Sequence, residues 1–105
     1  MIDVWLTRYR RKGYDCSNFA AEVLGVPVAT VSGVMTARKA WRPIKVPTEG
    51  ALCLLRRNAA PPHVGIYTNN GVLHLAGRVA MWHPMHIVRR DFNNLRFYAQ
   101  RNNHN

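Results

Sequence analysis

The chain has 105 residues, 48% of them apolar, and its fifteen Lys and Arg stand against five Asp and Glu for a formal charge of +10. Halves of so short a chain would not bury a core, so one domain spanning 1–105 is expected. Only Asp3, Asp15, Glu22, Glu49 and Asp91 are acidic, and none forms the close pair that two-carboxylate glycoside hydrolysis requires, which argues against a lysozyme-type mechanism.

In chain order, Ile2, Trp5, Leu6 and Tyr9 recur at helical spacing with Thr7, Arg8, Arg10 and Arg11 on the other face, and Gly13 closes this first short helix. A second helix is predicted from about Cys16. It would bury Phe19, Ala20, Val23 and Leu24, with Asp15 or Ser17 as cap and Gly25 as terminator. Between Thr30 and Trp41 the apolar residues Val31, Val34 and Met35 suggest a third helix, and Pro43 and Pro47 frame an extended linker after it.

The second half has strand character. Ala51 to Arg56 is a short apolar run of the kind a buried strand requires. His63 to Tyr67 and Val72 to Leu75 read as a hairpin across Thr68-Asn69-Asn70-Gly71, where the Asn-Gly pair is the turn signal. Beyond Gly77, Val79 to Val88 suggests further short strands broken by Pro84, and Leu95 to Ala99 a last one; the final four residues are expected to fray. Helices first and an antiparallel sheet second make an α+β domain.

Cys16 is predicted at a helix N-terminus, where free N–H groups and the positive end of the dipole favour a thiolate. A nucleophile also needs a base, and His63 and His74 lie on facing arms of the hairpin, where one ring would orient the other. Cys53, inside an apolar strand, reads as a buried filler. With only one pair of cysteines and no basic stretch followed by an apolar one near Met1, two reduced thiols are expected, in a soluble protein made in a cytoplasm. No apolar run approaches membrane-spanning length. His83 and His86 add imidazoles, but the spacings of metal sites are missing and carboxylates are scarce, so neither metal nor cofactor is expected.

Tyr14-Asp15-Cys16-Ser17-Asn18-Phe19-Ala20, then Gly50-Ala51-Leu52-Cys53-Leu54-Leu55, then His63-Val64-Gly65-Ile66-Tyr67 and Val72-Leu73-His74-Leu75, resembles the NlpC/P60 family of cysteine peptidases in content, order and spacing. The likeness runs from Tyr14 to Tyr98. It implies a papain-like fold with the nucleophile at a helix N-terminus packed on an antiparallel sheet. By position it implies Cys16 as nucleophile, His63 as general base and His74 as its orienting residue, with Tyr14, Asp15 and Ser17 contacting substrate and the Cys16 N–H helping to bind the oxyanion. Three positions and one length depart from the family pattern: Asn18 replaces a small glycine, Ala51 an acidic residue and Pro62 a serine, and the hairpin turn is about one residue shorter.

The resemblance implies hydrolysis of the stem peptide of bacterial peptidoglycan. Small stand-alone members of this kind occur in bacteriophage tails, so the implied setting is a tail-tip component that opens the wall during infection, beside other tail-tip proteins, and acts in the periplasm. Three rivals remain: a structural or assembly protein of the same fold, a secreted antibacterial toxin and a nucleic-acid binder. The last rests on charge alone and has no binding motif to support it.

Overall fold

The computed structural model describes residues 15–33, 40–58, 60–77 and 79–101. The helix expected over Ile2 to Tyr9, the position of Tyr14 and the last four residues lie outside that set. Two helices open the described chain, α1 (Cys16–Leu24) and α2 (Val28–Ser32), followed by β1 (Trp41–Ile44), β2 (Leu52–Arg56), β3 (His63–Thr68), β4 (Gly71–Ala76), β5 (Val79–Pro84), α3 (Met85–Asp91) and β6 (Asn94–Gln100). The strands form one sheet in the order β1-β6-β2-β3-β4-β5, every neighbouring pair antiparallel. The expected α+β class, with an antiparallel sheet and a few helices, is what the chain adopts.

α1 begins as its sequence dictates. The Asp15 side chain accepts from the N–H of Asn18 at 3.0 Å while the Asn18 side chain accepts from the N–H of Asp15 at 3.1 Å, a reciprocal cap that satisfies two donors the first turn leaves open. Asp15, not Ser17, is therefore the cap. Gly25 ends the helix at φ 71°, the left-handed conformation that glycine adopts without a Cβ penalty.

Three expectations shift. The third helix is α2, shorter and earlier than the predicted 30–41 segment; residues 34–39 lie outside the described set, and Trp41 already begins a strand. The segment expected as a linker from Pro43 opens inside β1, an edge strand paired only with β6, where a residue without an N–H is tolerated. After Pro84 the chain is helical instead of extended. Met85 and Val88, three apart, are buried together, a helical spacing that the alternation read across Val79 to Val88 obscured.

The hairpin is tighter than its Asn-Gly signal indicated. Thr68 pairs with Gly71, so the two central residues are Asn69 and Asn70, at φ 51° and 57°, as a two-residue turn with both residues left-handed requires. Glu49 braces it, accepting from the Thr68 hydroxyl and, at 3.1 Å, from the N–H of Asn69.

Alternation along the strands gives the sheet two apolar faces. One carries Leu52, Leu54, Val64, Ile66, Leu73, Leu75 and Tyr98 and packs against Phe19, Ala20 and Val23 of α1 and Val31 of α2. The other carries Cys53, Leu55, Val72 and Phe97 and packs against Met85 and Val88 of α3. The sheet is thus a middle layer, covered by α1 and α2 on one side and by α3 on the other.

Candidate functional site

His63 opens β3, and its cross-strand partner is Leu55. Leu55 belongs to the α3 face, so His63 lies on that face too, as do His74 and His83 by the same alternation. The register that pairs Ile66 with Leu73 sets Gly65 opposite His74, which makes His63 and His74 diagonal neighbours. Gly65 permits this closeness: a Cβ there would lie 2.5 Å from Val72 Cγ1 and 3.0 Å from His74 Cβ. His74 is opposite Met81 on β5, so His83 is its diagonal neighbour on the far side.

The three rings are joined. Nε2 of His63 lies 2.7 Å from Nδ1 of His74, and Nε2 of His74 lies 2.8 Å from Nδ1 of His83. The first pair meets edge to face at 80° and the second is tilted at 51°. Phe92 stacks on His63 with its ring plane within 2° and centroids 6.0 Å apart, and the Arg57 guanidinium covers the same Phe92 ring at 5.2 Å. His63 is therefore held on one side by an imidazole and on another by an aromatic face.

Burial decides the charge of this group. His74 is 5% exposed. Its pKa is pushed down to about 3, first by loss of water and then by the neighbouring His63 and His83. Burial also lowers His63. Both rings are neutral at pH 7, so each offers one N–H and one lone pair, as an alternating donor and acceptor line requires.

The rings border a cavity of about 370 Å³ whose other walls include Ile87, Val88 and Phe92, with Arg57 and Asp91 as its charged residues. Its apolar walls and convergent polar atoms suit a small ligand or one side chain of a larger one.

Cys16 is the first residue of α1, half-buried, with its thiol free, and it packs against the core on the α1 face. Among the described residues no hydrogen bond joins it to His63 or His74. The cap engages the Asn18 N–H, and among the described residues the Cys16 and Ser17 N–H groups have no hydrogen bond. Cys53 is fully buried on the α3 face and burial pushes its thiol up to about 12, which makes it the inert packing residue expected from its strand. The two thiols are on opposite faces of the sheet and are unbridged.

The structure thus unites His63 with His74, sets Asp15 and Ser17 beside Cys16, and among the described residues shows no hydrogen bond between Cys16 and the histidines, which lie on the other face of the sheet. His83 is the participant the sequence pointed to only as a metal lure. The signal that identifies it is register: with Ala76 paired to Val79 across a two-residue connection, His74 and His83 become diagonal neighbours on one face. Among the described residues no helix is long and apolar enough to cross a membrane. No protein-family profile matches the chain, and no curated protein matches its sequence.

Proposed function

We propose that the chain is a cysteine peptidase that hydrolyses the stem peptide of bacterial peptidoglycan, with Cys16 as nucleophile, His63 as base and His74 orienting the base, in a phage tail tip that opens the wall. The observation that carries the reading is the 2.7 Å bond from Nε2 of His63 to His74, because it leaves Nδ1 of His63 as the nitrogen facing away from its orienting partner.

In this mechanism Nδ1 of His63 takes the thiol proton as Sγ of Cys16 attacks the scissile carbonyl. The N–H of Cys16 stabilises the oxyanion, and collapse returns the proton to the leaving amine. Water then hydrolyses the thioester with the same base. Tyr14, Asp15 and Ser17 are the residues assigned to substrate contact. The mechanism requires Sγ of Cys16 and Nδ1 of His63 to come within about 3.5 Å. The two residues open their elements on opposite faces of the sheet, so that encounter has to be made around the end of β3.

The separation of those faces favours a second reading, an assembly protein of the same outline that does not cut. Digestion of Gram-negative peptidoglycan by wild type, Cys16→Ala and His63→Ala, with mass analysis of released muropeptides, decides between them. The peptidase reading expects cleavage within the stem peptide by wild type and a loss of roughly a hundredfold or more in each variant. Folded, reduced wild type that releases nothing leaves the assembly reading.

A further inference from the structure

Two hydrogen bonds in series between three neutral imidazoles have only two consistent arrangements, because each link needs one proton and each neutral ring has one to give. In the first, His63 donates from Nε2 to His74, His74 donates from Nε2 to His83, and Nδ1 of His63 is a bare lone pair. In the second, His83 donates from Nδ1 to His74, His74 donates from Nδ1 to His63, and Nδ1 of His63 carries the proton. The distances of 2.7 and 2.8 Å bind the three choices into one.

We propose that His83 is a positioning residue that decides, through His74, which nitrogen of His63 bears the proton, and so whether His63 can act as a base. Protonated His83 must donate from both nitrogens. It then forces Nε2 of His74 to accept, Nδ1 of His74 to donate, and Nδ1 of His63 to hold its hydrogen. One proton added at the outer ring switches off the base two rings away, while both inner rings stay neutral and no inner ring gains or loses a proton overall. The low proton affinity of buried His74 keeps the charge at the end of the line.

His83 is suited to that role by its place. It is half-buried on β5, as His63 is on β3, whereas His74 between them is 5% exposed, so solvent reaches the series at its two ends and His83 is the end away from the base. The titratable and charged groups around it in the cavity are His74 from β4, His63 from β3, Asp91 from α3 and Arg57 from the segment after β2. Arg57 is anchored by donation from Nε to the Asp91 carbonyl at 2.7 Å, and Arg90 engages the Asp91 carboxylate at 3.1 Å.

The proposal rests on the reading of His63 as a base, and its test does not use Cys16. Long-range proton–nitrogen correlation spectra of the full chain, labelled with nitrogen-15 in histidine, report the tautomer of each ring. At pH 8 the expected spectrum has His63 with its proton on Nε2. As His83 charges, the His63 proton should move to Nδ1, inverting the tautomer ratio by roughly tenfold, as loss of one charge-assisted hydrogen bond demands. His83→Phe at pH 8 should change the His63 ratio without acid, and His83→Gln, which retains a hydrogen-bonding group, should restore most of it. A His63 tautomer that is unaltered through the His83 titration and in His83→Phe overturns the proposal. Intact coupling with peptidoglycan left uncut in the presence of wild type would remove the peptidase reading alone.

Discussion

At the residue scale, His74 links stability to pH. Its pKa is about 3 in the fold against an ordinary 6.5, so the unfolded chain binds the proton more readily. Stability is therefore fully present above pH 6.5 and falls as the pH drops toward 3, by up to about 1.4 kcal/mol per pH unit for this one proton. His63, also lowered by burial, adds in the same direction below its ordinary value. Urea unfolding at pH 7.5, 6.0, 5.0 and 4.0 should give steadily lower midpoints, about as flat as chemistry elsewhere allows in His74→Phe; a midpoint independent of pH in wild type would mean that His74 is already accessible to protons. Cys53 differs in kind from Cys16: one thiol is shut in by burial, the other stands at the first residue of a helix. Residue type alone does not separate them.

At the element scale, the start of α1 is a local device with a measurable cost of removal. Asp15→Ala deletes the acceptor for the Asn18 N–H, and the expected loss is about 1 kcal/mol, read as a shift in the urea midpoint with unchanged m-value. An unaltered midpoint would show that the reciprocal bond from Asn18 suffices. The same cap positions Cys16 and engages the Asn18 N–H instead of that of Cys16, so it serves both the helix and the proposed oxyanion. α3 illustrates the opposite case. Its residues read as strand because Ile87 and Val88 favour extended structure, yet Pro84 ahead of the first turn and the burial of Met85 and Val88 on one face make a helix. Packing against Cys53, Leu55 and Val72 overrode the local preference.

At the scale of the whole molecule, the sheet divides the interior in two, and each half depends on one layer of helix. Phe19 is fully buried between α1 and the Leu73, Leu75 and Ala80 patch. Phe19→Ala should cost about 3–5 kcal/mol, a large part of the roughly 5–15 kcal/mol that holds a domain of this size together. Chemical unfolding by circular dichroism reads the loss, and a cost below about 1 kcal/mol would mean that the α1 layer collapses to fill the space. The division also governs chemistry: the candidate nucleophile belongs to one layer, the histidine series to the other. Any reaction that uses both must pass the edge of the sheet.

What the sequence by itself determined is local. A helix that starts near Cys16 and stops at Gly25, strands close to 51–56 and 63–67, a tight turn within 68–71 and the inert burial of Cys53 each follow from one residue type, a few neighbours and a period of two or 3.6. The pairing of His63 with His74 was legible too, since a hairpin sets which side chains meet across it. The tertiary structure decided the rest. The addition of His83 depends on the β4 to β5 register, the helical form of 85–91 on a packing surface built by distant strands, and the separation of Cys16 from the histidines on which face of the sheet α1 covers. Local rules set the conformation of each segment; which faces meet is settled only when all the apolar surfaces compete for burial at once.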